Sequence, residues 1–114
     1  MAIDIPYQAP IRLSTAGSTD IYTAPSTPSS VRVTGMRLSF MHDGTSTNPV
    51  SIAVHHVISG GTYGNNTQVD QVVVSQNRRE VSKLLRLGPG GKVVCAPDVA
   101  DMVTVDVDSG VIFS

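Results

Sequence analysis

The three histidines are the residues of this chain best suited to acid–base or metal chemistry. His55 and His56 are adjacent, so on a β-strand they point to opposite faces and cannot both bind one metal ion. His42 and Asp43 lie at a predicted turn. A site made by this pair with one of the other two histidines is conceivable, but the spacing is not that of a zinc site. We therefore predict no metal site, with His56 inward and hydrogen-bonded and His55 facing solvent or a partner.

The chain offers no activated nucleophile. Cys95, in KVVCAP, ends an apolar run, where a free cysteine usually behaves as a small buried hydrophobe. Activation would require a nearby base or a helix N-terminus, and the sequence places neither there. No serine lies in a G-x-S-x-G elbow, and GPGGK lacks the spacing of a phosphate-binding loop. We expect no catalytic residue, no cofactor and no enzymatic activity.

Four aspartates cluster late in the chain, at positions 98, 101, 106 and 108. Asp106 and Asp108 share one face of a predicted strand, roughly 7 Å apart by strand rise. A glycosidase-like pair or a weak calcium site is geometrically conceivable. Because no aromatic side chains accompany the carboxylates to bind a sugar, a solvated strand face is the preferred interpretation.

Composition sets the broad class. A chain of 114 residues fits one domain, and a net charge of −1 gives no long-range attraction for nucleic acid or acidic lipid. A single cysteine excludes an intrachain disulfide. The N-terminus has no signal-peptide pattern, and no apolar run approaches the roughly 20 residues of a membrane span. We expect synthesis in a cytoplasm, with neither nucleic acid nor membrane as a partner.

Alternation of apolar and polar residues with period 2 is the strongest structural signal. It runs through PVSIAVHHVI and MVTVDVDSG. Between Val31 and Phe40 the apolar positions change from odd to even numbers. A continuous strand would then place half of these side chains in water. Gly35 lies at the change, so we predict a β-bulge there.

Turn signals rich in Gly, Pro, Asn and Asp separate the strand-like runs. The regular spacing predicts an all-β fold, an antiparallel β-sandwich (jelly-roll-like) or barrel of about eight short strands over residues 11–114. The segment NRREVSKLLRLG fits either helical or strand spacing.

Residues 1–10 are predicted to form an extended N-terminal arm. Ile3, Ile5 and Tyr7 alternate with polar residues or proline, and Pro6 and Pro10 each lack a backbone donor, which argues against a central strand. The arm either lies on its own domain or docks these apolar side chains on a neighbouring subunit.

Several short motifs carry a resemblance. They are the Y-T-x-P step Tyr22–Pro25, the strands VRVTGMRLSF and PVSIAVHH, the turn LRLGPG, and the ending VDVDSGV. In this order they resemble the small β-sandwich virion proteins of tailed bacteriophages. The usual connector has Gly where this chain has Pro25-Ser26-Thr27-Pro28, and Gly91 is additional.

The resemblance implies a non-enzymatic capsid decoration (cement) protein that stabilises the particle, or a neck or tail adaptor. Expected partners are the major capsid protein, other virion proteins and further copies of the chain, with a trimer favoured. The expected location is the virion, after synthesis in the host cytoplasm. An alternative of another class is a carbohydrate- or receptor-binding β-sandwich using loops 42–49 and 59–67, in which Tyr63 could stack on a ligand. The candidate interface residues are Ile3, Ile5, Tyr7 and Tyr63.

Overall fold

The computed structural model describes residues 2–44, 46–83 and 85–114. Its regular elements, in chain order, are β1 (Ala2–Asp4), β2 (Ile11–Arg12), β3 (Thr19–Thr23), β4 (Arg32–His42), β5 (Val50–Val57), the 3-10 helix η1 (Asn65–Thr67), β6 (Gln68–Val74), β7 (Arg79–Val81), β8 (Leu85–Leu87), β9 (Lys92–Pro97) and β10 (Val103–Phe113). Within the described ranges, no helix is long and apolar enough to cross a membrane.

The strands form two antiparallel sheets. Sheet A has the order β1-β10-β4-β7, with β2 also pairing with β10 and β8 with β4. Sheet B has the order β3-β9-β5-β6. Because β1 and β2 share one position and β7 and β8 share another, the described strands occupy eight positions in two four-position sheets. This is the jelly-roll arrangement, and it confirms the predicted fold class.

The core lies between the sheets and follows from the period-2 pattern. Met36, Leu38 and Phe40 point inward from β4, and Ile52 and Val54 point inward from β5; all five are fully buried. Burial of each such side chain contributes about 1.5–3 kcal/mol. With no Trp in the chain, branched aliphatic residues supply most of this stabilisation.

The predicted bulge at Gly35 is confirmed. Gly35 has a φ of +65°, and the pairing of β4 with both neighbouring strands shifts around it. Val33 and Met36 consequently both reach the core. A second irregularity lies opposite, on β10, between Val107 and Ser109. The residues on both sides of this irregularity belong to one strand, β10.

The segment with ambiguous spacing forms the short strands β7 and β8. Both pair with β4, at Ser39–Met41 and at Val33 and Met36, so the helical interpretation is wrong for the described residues. Leu84, on which the helical spacing partly depended, lies outside them.

Asp70 joins the two sheets at one edge of the sandwich. Its carboxylate, on β6, accepts hydrogen bonds from Ser82 Oγ (2.9 Å) and from the backbone N–H of Lys83 (3.2 Å) and Gln71 (2.8 Å). Burial alone would raise the pKa of Asp70, but these hydrogen bonds and the charge of Lys83 outweigh burial and lower it. Acid therefore weakens this connection as the carboxylate becomes protonated.

Candidate functional site

The N-terminal arm lies along its own domain. Residues 2–4 pair with residues 111–113 of β10. The backbone N–H of Ile5 donates to the carbonyl oxygen of Gly110 at 3.0 Å, and Gln8 Nε2 donates to the carbonyl oxygen of Ile21 at 2.6 Å. These contacts hold the arm at one edge of sheet A and connect it to β3 of sheet B.

The three apolar arm residues have different surroundings. Ile5 is partly buried and packs against the core. Its side chain fills the space above Gly110, where a Cβ atom would collide with Ile5 Cδ1. Ile3 and Tyr7 are 52% and 88% exposed. Ile5 therefore anchors the arm, whereas Ile3 and Tyr7 are available for contact with another molecule.

A groove of about 490 Å³ lies between the arm and the two bulges. Its lining includes Asp4, Ile5, Tyr7, Gly35, Asp108 and Gly110. The groove exists because the bulges at Gly35 and Asp108 interrupt regular pairing of the central strands. The sequence indicated the Gly35 bulge and the arm but not that they meet.

Charge around the groove is mixed. The carboxylate of Asp108 lies 3.6 Å from Arg37 Nε, and both side chains are about half exposed. Such an exposed pair contributes little to stability. Ser109 Oγ donates to the carbonyl oxygen of Gly35 at 3.3 Å. Asp108 is exposed, which confirms the predicted solvated position of its side chain. Asp106 is partly exposed.

Tyr63 lies apart from the arm, over the outer face of sheet B. Its ring is 4.5 Å from the ring of His55, tilted by 49°, and the side chain is 41% exposed. His55 Nδ1 lies 2.9 Å from Thr67 Oγ1. Because the Thr67 hydroxyl donates its one proton to the carbonyl oxygen of Gly64, it accepts from the His55 ring.

The two adjacent histidines depart from their predicted environments. His55 points outward as predicted, but it is 4% exposed because the loop bearing Tyr63 covers it. Burial lowers the pKa of His55, and a hydrogen bond to the Gly64 backbone opposes this only in part. His56 lies on the inner face as predicted, yet its buried Nε2 has no hydrogen-bond partner within the described residues. The expected inward hydrogen bond of His56 is therefore wrong for Nε2.

His42 has a structural role in the β4–β5 loop. Its Nδ1 accepts from the backbone N–H of Gly44 at 3.0 Å, and its Nε2 lies 3.1 Å from the carbonyl oxygen of Asn48. Backbone groups therefore occupy both ring nitrogens. Across residues 2–44, 46–83 and 85–114, no three His, Cys, Asp or Glu side chains are grouped closely enough to hold a metal ion.

Cys95 is fully buried in the core. Burial raises the pKa of its thiol to about 12, so the reactive thiolate is scarce at neutral pH. This environment is that of a small apolar core residue.

Arg12 makes a network that the sequence did not indicate. Its guanidinium contacts the carboxylate of Asp43, and its Nε donates to Asp101 Oδ1 at 3.0 Å. The hydrogen bonds and charges of these carboxylates raise the pKa of Arg12. The partners are 31 and 89 residues away along the chain, so no local pattern could have revealed the network. It ties β2 to two loops at one end of the sandwich.

No family model and no curated protein sequence matches the chain. Among solved structures it is similar to PirA, with a TM-score of 0.50 at 9% identity, covering 98% of this chain and 91% of that one. A β-glucosidase from Paenibacillus barengoltzii (TM-score 0.36, 10% identity) is matched over 99% of this chain and 10% of its own length. A family two carbohydrate esterase from Cellvibrio japonicus (0.36, 12%) is matched over 99% and 34%. At these identities the likeness to PirA concerns the fold alone.

Proposed function

We propose that this chain is a non-enzymatic structural protein of a tailed-bacteriophage virion, a capsid decoration protein that binds the major capsid protein and further copies of itself. The alternative structural role is that of an adaptor protein at the neck or tail of the virion. The expected assembly is a homo-oligomer, with a trimer favoured, located in the virion after synthesis in the host cytoplasm.

The observation that carries this proposal is that the arm has one buried apolar residue, Ile5, and two exposed ones, Ile3 and Tyr7. Ile5 anchors the segment beside Gly110, so the arm has a defined position on the domain. Ile3 and Tyr7, at 52% and 88% exposure, keep apolar surface outside. An apolar contact that is already positioned loses less conformational entropy on binding. This arrangement supports docking on a neighbouring subunit.

The environments of the reactive side chains support a non-enzymatic role. Cys95 is held protonated by burial, and both ring nitrogens of His42 are occupied by backbone groups. Asp70, whose pKa is lowered, bonds the loop between β7 and β8. Each of these groups is used for packing or for loop geometry.

Co-sedimentation with undecorated phage capsids tests the proposal. The double variant Ile3→Ser, Tyr7→Ser removes the exposed apolar surface and retains the Ile5 anchor. We expect the wild-type chain to sediment with capsids at micromolar concentration and the variant to remain in the supernatant, with an unchanged unfolding midpoint. Absence of wild-type association over the micromolar range would contradict decoration. Val73→Ser, an exposed valine on sheet B, is the matched control.

A second candidate is a carbohydrate- or receptor-binding module. It is favoured by one observation, the fixed and partly exposed ring of Tyr63, which His55 supports from one side. A positioned aromatic face is suited to stacking on a sugar ring. Binding to a glycan array that is lost in Tyr63→Ala and kept in Ile3→Ser, Tyr7→Ser would favour this function over decoration.

A further inference from the structure

The outer face of sheet A divides by charge along its strands. Four exposed arginines lie on β4, β7 and β8, at positions 32, 37, 79 and 86. Three aspartates lie on β1 and β10, at positions 4, 106 and 108. Arg12 of β2 lies in the same half, but its charge is paired with Asp43 and Asp101. Since β4 and β10 are neighbours in the centre of the sheet, the boundary between the basic and acidic halves runs between these two strands.

One row across the face shows the division most clearly. Asp4 pairs with Val111, and Val111 pairs with Thr34. Arg86 lies between the β8–β4 pairs Leu87–Val33 and Leu85–Met36, level with Thr34. Paired residues of neighbouring strands point to the same side of a sheet, and Val33 and Ile112 point inward. Asp4, Val111, Thr34 and Arg86 therefore follow one another across the outer face.

We propose that this face binds a second copy of the chain, about a two-fold axis parallel to the strands and lying between β4 and β10. Rotation about that axis places the basic half of each copy over the acidic half of the other. Arg86 of one copy then faces Asp4 of the second copy. Arg37 faces Asp108 of the second copy, but each already pairs with its counterpart in its own chain at 3.6 Å, so the Arg86–Asp4 row supplies the new attraction. The contact is isologous, so each such pair forms twice.

The other outer-face residues are also compatible with this two-fold axis. Arg79 would face Arg12, but Arg12 is already paired with Asp43 and Asp101, so the repulsion is offset. Arg32, whose guanidinium lies 5.2 Å from the centre of its own Phe113 ring, would face the Phe113 ring of the second copy. A cation over an aromatic face is attractive.

The dimensions and composition of the face suit such a contact. β4 and β10 each contain 11 residues, so the face is roughly 36 Å long at about 3.3 Å per residue. Four strand positions plus side chains give a width of roughly 20 Å at about 4.8 Å per strand. The product, roughly 700 Å², approaches the roughly 800 Å² per partner of a standard interface. Met41 and Val81, at 38% and 40% exposure, add apolar area between the charges.

This inference rests on the proposed assembly role and adds a surface that adjoins the arm at Asp4. A two-fold contact by itself produces a dimer. Combined with a three-fold contact through the arm, it would produce a particle of two trimers. Arg86 lies on β8, which β10 and β4 separate from β1 of the arm, so Arg86→Glu disrupts the two-fold contact without changing the arm.

Charge reversal at one row tests the inference by sedimentation equilibrium. We expect the purified wild-type chain to dimerise, and Arg86→Glu and Asp4→Arg each to weaken the dimer by about tenfold or more, because a like-charge pair forms twice. The double variant should regain wild-type association within a few-fold, since it restores the pair in reverse. The control Lys92→Glu makes the same charge change on sheet B and should have no effect. Circular dichroism spectra check that each variant is folded.

The outcomes separate this inference from the proposed function. A wild-type chain that stays monomeric to several hundred micromolar overturns the two-fold contact, as does an Arg86→Glu variant that associates like Lys92→Glu. Capsid co-sedimentation that survives Arg86→Glu while self-association is lost supports both proposals. Rescue by the double charge reversal without any capsid binding supports the two-fold contact and contradicts decoration.

Discussion

Two segments lie against the sandwich, the covering loop on sheet B and the N-terminal arm on sheet A, and they behave differently. The covering loop, residues 58–67, lies over the outer face of sheet B and buries His55 beneath Tyr63. On the same outer face, Val57 and Val94 are each 1% exposed and lie outside the main core cluster. The arm, residues 2–8, lies along the edge of sheet A, encloses an open groove and leaves Ile3 and Tyr7 exposed.

The difference is one of burial: the covering loop buries His55, whereas the anchored arm leaves Ile3 and Tyr7 exposed. On the outer face of sheet B, Val57 and Val94 are removed from water within a single chain. The arm is anchored by one side chain and retains apolar surface outside. Proteins that expose apolar patches commonly use them as contact sites. Under the proposed function, we expect the protein partner to bind at the arm; the covering loop also exposes one apolar side chain, Ile58, at 67%.

The largest expected effect comes from placing a charge at a buried position on the outer face of sheet B. Val57→Asp should lower the free energy of unfolding by about 3–5 kcal/mol, because the carboxylate would be buried without a partner. The control Val73→Asp changes a valine that is 53% exposed on the same sheet and should cost less than about 1 kcal/mol. Urea denaturation of both variants measures the difference. Similar losses would show that Val57 is not sealed from water.

A smaller effect is expected at the anchor of the arm. Gly110→Ala places a methyl group where Ile5 Cδ1 lies, so the arm must shift, at a cost of about 1–3 kcal/mol. Gly88→Ala, where no atom lies within 4 Å of the added Cβ, is the matched control. Faster amide hydrogen exchange at Ile5 in Gly110→Ala alone would confirm the anchor. Equal exchange in both variants would contradict it.

Acidification should weaken the covering loop. The pKa of His55 is lowered below its ordinary value of 6.5 by burial, so the unfolded chain binds protons that the folded chain does not. The contribution of His55 to stability is complete above pH 6.5 and is lost as the pH falls through the folded-state pKa. Stability should therefore decrease more between pH 7 and pH 5 in the wild-type chain than in His55→Gln. Parallel pH profiles would contradict this assignment.

The smallest effect is expected at the exposed end of the arm. Tyr7→Ser should change the free energy of unfolding by less than about 0.5 kcal/mol, because the ring is 88% exposed. Thermal unfolding with light scattering on the same samples measures stability and assembly together. A clear loss of monomer stability would show that Tyr7 belongs to the fold and is not a binding residue.

Residue alternation was sufficient to predict much of the fold. It predicts which side chains of β4, β5 and β10 point into the core. The change of the apolar positions from odd to even numbers around Gly35 identified the bulge that the structure contains. The jelly-roll arrangement was one of the open alternatives, since short strands at regular spacing are equally typical of barrels. Pairing between distant strands decided this, and local pattern does not encode it.

The candidate site was less accessible from the sequence. Alternation correctly placed His55 on the outer face, but outer-face residues are expected in water, and only the covering loop explains its burial. Asp70 and Arg12 are polar residues whose partners come from other parts of the chain. The prediction that Ile3, Ile5, Tyr7 and Tyr63 contact partners stays a prediction, although the structure separates Tyr63 from the arm.

The opposed irregularities of β4 and β10 have a consequence for how this sequence can change. Pairing on either side of them, Val107 with Leu38 and Val111 with Thr34, follows one common register, so the surplus residue of one strand cancels that of the other. Losing Gly35 or Asp108 alone would put every following pair out of step. If both residues were lost together, β4 and β10 would be regular, flatter strands whose residues still pair in register. In related sequences, an insertion or deletion near position 35 should therefore be accompanied by one near position 108.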